Sequence, residues 1–148
     1  MESEIFCSFM EPFLGSEFWD CSTEPVGIVF LATLSESEIN QLISAVDLSK
    51  PEGERNRAIL ETLYSCGLRV SEIITLKILD LFFNEGFIKV VGKGNKERFV
   101  PIHFRAQKYI ESYMNHYRNH ISIVKDYEDI LFLNRRGKSL TRQMVFVI

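Results

Sequence analysis

The sequence predicts an α+β domain, mainly helical, with a small three-stranded antiparallel sheet. Two observations lead there. Apolar residues recur at helical spacing in three stretches: Ile39, Leu42, Ile43 and Val46; Ala58, Ile59, Leu60, Leu63 and Tyr64; and Ala106, Tyr109, Ile110, Tyr113 and Met114. Between the second and third, strand-like runs at 79–83, 87–91 and 97–100 are separated by two turn signals, Asn84-Glu85-Gly86 and Gly92 to Lys96. At 148 residues, 46% hydrophobic and 25% charged, the chain is long enough to bury one core.

Residues 1–33 have no clear period. Phe6, Phe9, Phe13, Phe18 and Trp19 are scattered among acids, with Pro12, Gly15, Pro25 and Gly27 as breakers, so this segment reads as a leader of unknown structure. Lys50 is the first basic side chain, which predicts no signal peptide. The apolar run 26–34 is too short to cross a bilayer, which takes about 20 residues. Three cysteines without paired spacing argue against a disulfide framework or a zinc site, and the default compartment is a reducing cytoplasm. The charge is segregated: residues 1–50 hold nine acids and one base, residues 51–148 sixteen bases and eleven acids. A basic body behind an acidic leader is compatible with an anionic polymer as partner.

From residue 34 each element has its own signal. Ser35 and Glu38 form a capping box, with Leu34 placed to staple onto Ile39. Ser49-Lys50-Pro51-Glu52 reads as a second helix start, and that helix stops at Gly67. Arg55 and Arg57 flank its apolar face and read as solvated. Cys66 reads as a small buried residue. Arg69 emerges past the glycine stop, at the mouth of a short helix over 70–76. The hairpin loop Gly92-Lys93-Gly94-Asn95-Lys96 allows close backbone approach to a ligand, while its lysines also suit the protection of an exposed hairpin edge. Residues 103–117 form a long amphipathic helix whose tyrosines read as core and rim. Residues 130–133 are a short apolar run before the turn 134–138, and Thr141 reads as the cap of a helix that starts at Arg142.

An arginine at a helix junction and a lysine on a Gly-rich hairpin suit a site that grips one phosphate from two sides. Arginine offers a planar fork of donors and lysine a mobile point charge. Arg57-Ala58-Ile59-Leu60, Tyr64, Gly67-Leu68-Arg69-Val70-Ser71-Glu72, Leu76, Asp80-Leu81 and Gly92-Lys93-Gly94-Asn95-Lys96-Glu97-Arg98 with Val100-Pro101 occur in that order. In this pattern the chain resembles the tyrosine recombinases, or phage-type integrases, and within them the Xer-like enzymes. The likeness runs from Leu34-Ser35 to Leu140-Thr141-Arg142-Gln143 and matches the front part of a catalytic domain, here residues 34–148.

The resemblance implies DNA breaking and rejoining through a 3′-phosphotyrosyl link, without metal or nucleotide cofactor. Arg69 matches the family's first catalytic arginine and Lys93 its hairpin lysine, which protonates the departing 5′ oxygen. Glu72 would orient Arg69, and Lys96, Arg98 and Arg142 would contact double-stranded DNA. Further recombinase subunits, or self-association, are the expected protein partners, and no membrane is involved. No match to the family's His-x-x-Arg box or later tyrosine is found. His103-Phe104-Arg105 and His116-Tyr117-Arg118 are each one residue short, and no tyrosine among Tyr64, Tyr109, Tyr113, Tyr117 and Tyr127 follows such a box. The expectation is a fragment that does not cleave DNA by itself. The alternative is a non-catalytic DNA-binding or interaction module on the same scaffold. An RNA-binding hairpin is disfavoured for want of exposed stacking aromatics.

Overall fold

The structure, a computed structural model, describes residues 34–92 and 94–148. The expectations for residues 1–33 and the position of Lys93 lie outside the described residues. The capping box at Ser35 forms: its hydroxyl accepts the Glu38 amide, and the Glu38 carboxylate accepts the Ser35 amide at 2.8 Å. It starts α1 (Glu36–Ser44), which buries Ile43. The second helix, α2 (Gly53–Cys66), begins after the proline with Glu52 at its N-cap. It ends where Gly67 takes a left-handed conformation, φ +58°, and gives its amide to the Leu63 carbonyl. A side chain there would be strained, so glycine is the residue that stops this helix cleanly. Arg69 follows at the N-cap of α3 (Val70–Thr75).

The sheet has the expected three antiparallel strands in the order β1-β2-β3. β2 (Phe87–Val91) and β3 (Glu97–Pro101) fall where the turn signals put them, in a register that pairs Lys89 with Phe99. Ile88 and Val90 face the core, while Phe82, Phe87 and Phe99 cluster on the other side, the last two with ring centroids 5.0 Å apart. β1 is shorter than the predicted 79–83. It is reduced to Leu81–Phe82 behind a 3₁₀ turn over Ile78–Asp80. Just before it, the Ile78 amide bonds the Asp129 carbonyl, and the Leu131 amide bonds the Leu76 carbonyl. The backbone just before β1 is therefore tied to the 129–131 segment.

The long amphipathic helix is α4 (Phe104–His116), with the His103 ring nitrogen accepting the Arg105 amide at its start. It packs on α2 and buries Ala106, Ile110 and Tyr113. Leu131, Phe132 and Leu133 are fully buried yet join no sheet, and the bridges on this run, Ile130 with Lys77 and Leu133 with Ser139, are isolated. Phe132 stacks on Tyr113, and the Tyr113 hydroxyl accepts the Leu133 amide at 3.1 Å. Thr141 caps α5 (Arg142–Phe146) through the Met144 amide, as its sequence suggests. Val145 packs inward, whereas Met144, Phe146 and Val147 are exposed.

Two arginines depart from expectation. Arg55 is buried and donates to the Leu133 carbonyl and the Asn56 side chain. Arg57 lies over the Tyr109 ring, 4.6 Å from its centroid. Polar neighbours in sequence make both look solvated. The acceptor at Leu133 and the ring of Tyr109 come from distant elements and draw them in.

Candidate functional site

Arg69, Ser71, Glu72 and Thr75 of the α3 region and Gly92, Asn95 and Glu97 of the hairpin line one groove of about 890 Å³. Lys77, Asp80, Lys89, Val91 and Arg142 complete it. Of the residues singled out in sequence, Arg69, Glu72 and Arg142 share this space. Lys96 is exposed on the hairpin loop outside the lining, and its carbonyl closes the loop by accepting the Gly92 amide at 2.8 Å. The described flanks of Lys93 open onto the groove at Gly92 and Asn95.

Glu72 is the centre of the electrostatics. It is buried, with its side chain 3% exposed. One oxygen accepts the Arg69 backbone amide at 2.8 Å, so Glu72 closes the first turn of α3 upon its own cap. The Arg69 guanidinium lies 3.3 Å from the other oxygen and is otherwise open to the groove. The stronger partner is Arg98 of β3, whose fork spans both carboxylate oxygens at 2.6 and 2.9 Å. The Arg98 hydrogen bonds, opposed by burial and helped by the Arg69 amide, hold the Glu72 carboxyl down to about 2. Glu72 thus touches Arg69 at both its backbone amide and its guanidinium. For Arg98 the expectation is a DNA contact, whereas in the structure its guanidinium is engaged by Glu72.

The sequence patterns do not single out a second charged cluster in the groove. Lys89 sits between Asp80 at 3.2 Å and Glu97 at 3.3 Å, and these two carboxylates raise its basicity. A signal for it is present: Lys89 is the polar residue between buried Ile88 and Val90, hence on the opposite face of β2. The three carboxylates Glu72, Asp80 and Glu97 stand against the three cations Arg69, Arg98 and Lys89, so together they carry no net charge. Lys77 and Arg142 form no ion pair among the described residues, so what the groove has to offer a ligand is positive charge and donors.

The two short His-x-Arg triplets lie elsewhere and have other duties. Arg105 pairs with buried Glu61 at 2.9 Å, and Arg118 is buried against main-chain carbonyls. Among the described residues no tyrosine lines the groove, and no helix is long and apolar enough to cross a membrane.

The Glu72 carboxyl gives an acid-stability prediction. Its folded value, about 2, lies below the ordinary 4.5. The stabilisation is therefore fully present above 4.5 and is lost as pH falls through about 2. Both arginines are partly open to water, so the contribution is on the order of 2 kcal/mol rather than the full shift. Urea midpoints taken between pH 6 and pH 2 are expected to fall more steeply for the wild type than for E72Q. Parallel curves would show that Glu72 adds nothing.

A family model described as the phage integrase family matches residues 32–148. Tyrosine recombinase XerD of Staphylococcus haemolyticus is 42% identical over 113 residues, which is 76% of this chain and 38% of that protein. The XerD protein of Pseudomonas putida is 40% identical over 111 residues, 75% of this chain and 37% of the relative. The chain thus spans well under half the length of these curated relatives. Among solved structures it is similar to XerA recombinase, with TM-score 0.65 and 29% identity over 83% of this chain and 41% of that one. It is also similar to XerH site-specific recombinase bound to a palindromic difH substrate, with TM-score 0.64 and 26% identity over 75% of this chain and 32% of the other.

Proposed function

Because the chain belongs to the phage integrase family, among its Xer-like tyrosine recombinases, we propose that residues 34–148 supply one wall of a DNA phosphate site used in site-specific strand breaking and rejoining. The observation behind this reading is the meeting of Arg69 and the Gly92–Asn95 hairpin in one groove whose carboxylates are already matched. Arg69 would give its planar fork to the non-bridging oxygens, where negative charge grows as the phosphate is attacked. Lys93, one residue from Gly92, would protonate the departing 5′ oxygen as a general acid. Glu72 holds Arg69 from behind, so that less reorientation is needed when the phosphate arrives. Lys96 and Arg142 would take flanking phosphates of the duplex. The exposed Phe146 and Val147 offer apolar surface to another subunit or a second copy, and a DNA partner suits work in the cytoplasm.

Duplex DNA is expected to bind this chain in the non-specific range, about 10⁻⁴ to 10⁻⁶ M, and to weaken as salt rises because each neutralised phosphate releases counterion. Fluorescence anisotropy over a salt series measures this. Replacing Lys93 and Lys96 together by Gln should weaken binding and flatten the salt slope by roughly 0.9 per lost phosphate contact. An affinity indifferent to salt, or to both substitutions, would remove the hairpin from the interface.

A further inference from the structure

Arg98 stands 26 residues from Glu72 in the chain, on a different element, and gives it both prongs of its guanidinium. A forked pair of this kind fixes angle as well as distance, which a lysine at the same place would not. The fit is close on the hairpin side too. A Cβ on Gly92 would lie 3.3 Å from the Arg98 guanidinium and 3.5 Å from the Glu72 carboxylate, so the absence of a side chain lets the end of β2 close over the ion pair. Glu72 in turn holds the backbone amide and guanidinium of Arg69. One buried carboxylate therefore joins the base of the hairpin to the residue that faces the groove.

Resting on the phosphate-site reading above, we infer that Arg98 is a positioning residue, whose bidentate bond to Glu72 sets the hairpin loop at a fixed place relative to Arg69. Arg98 acts at one remove from the phosphate. Its contribution to DNA binding comes through where it holds Gly92 and Asn95.

The two roles open to Arg98 make different predictions for the double variant. If Arg98 gripped DNA directly, E72Q would leave that grip in place and R98Q would remove it, so the double variant would lose more than either single one. If Arg98 positions the loop, removing either partner breaks the same link. Duplex affinity is therefore measured for E72Q, R98Q and the double variant, with R98K as the charge-preserving control. The expected result is a loss of about tenfold for each single variant and no further loss in the double, the signature of residues acting as one unit. R98K should recover only part of the affinity. Tighter binding by E72Q, or additive losses, would overturn the proposal.

A second arm needs no DNA and decides the matter even if the wild type does not bind it. The Glu72 carboxyl is titrated by carbon-13 NMR while the Gly94 and Asn95 amides are followed. The charged groups around Glu72 are Arg69 and Arg98 in contact, with Lys77, Asp80, Lys89, Glu97 and Arg142 around the groove. In the wild type the loop amides should shift with the Glu72 midpoint, and R98Q should move that midpoint up toward 4.5, with circular dichroism confirming that both proteins stay folded. Loop amides that ignore the titration, or an unchanged midpoint in R98Q, would dismiss Arg98 as a positioning residue. Failure of DNA binding with this coupling intact would instead count against the phosphate site alone.

Discussion

A nicked suicide duplex incubated with the 148-residue chain is expected to give no covalent protein–DNA adduct on a denaturing gel, although DNA is bound. The family reaction needs a tyrosine hydroxyl within reach of the scissile phosphate, roughly 3–3.5 Å in a near-attack geometry. None of the chain's five tyrosines lines the Arg69 groove. Tyr113 is fully buried, and its hydroxyl is held by the Leu133 amide. Tyr109 lies under Arg57, and Tyr117 packs beside Tyr113. Tyr64 is exposed on α2, and Tyr127 belongs to the 124–130 turn region, where its amide bonds the Val124 carbonyl. A trapped adduct that disappears when one of these tyrosines becomes phenylalanine would show that a nucleophile had been misplaced.

The largest loss of stability is expected from Arg118→Ala. Arg118 is 7% exposed and donates to the carbonyls of Glu128, Ile130 and Leu131. Those bonds fasten the 128–131 segment just where it also holds the backbone that leads into β1. Removing the guanidinium leaves several acceptors without a donor and a void beside the core, at about 1–3 kcal/mol for each group that water cannot reach. Since part of this segment is open to solvent, a total of about 3 kcal/mol is expected, a drop in Tm on the order of 10 °C for a domain of this size. Arg118→Lys should recover less than half, because one ammonium cannot span three carbonyls. Arg136→Ala, on an exposed turn, should stay within about 0.5 kcal/mol of wild type by thermal melting. Equal melting temperatures for the 118 and 136 variants would refute the pinning role.

Much of the scaffold is legible in the sequence because its signals are local. A cap and its partner lie within one helical turn, as with Ser35 and Glu38. A helix stop needs one glycine, as at Gly67. A strand shows itself by alternation, as in Phe87–Val91, and a hairpin by the turn between two such runs. These features depend on backbone sterics and on side chains within a turn of each other, so the chain's order alone determined them, along with the family pattern that points to Arg69. Tertiary structure decided where the long cationic side chains went. Arg55 and Arg57 read as solvated in sequence, and each finds a partner on a distant element, while Arg118 turns onto main-chain carbonyls of the 128–131 segment. Arg98, expected at the DNA, has its guanidinium on Glu72. The apolar run 130–133 looks like any short strand, but with Leu76 and Tyr113 bonded to its amides it becomes core filling outside the sheet. The physical reason is common to all of them. An apolar side chain gains from any dry surface, so its burial follows from periodicity. A guanidinium gains only where specific acceptors converge, and that convergence exists only after helices and strands far apart in the chain have packed.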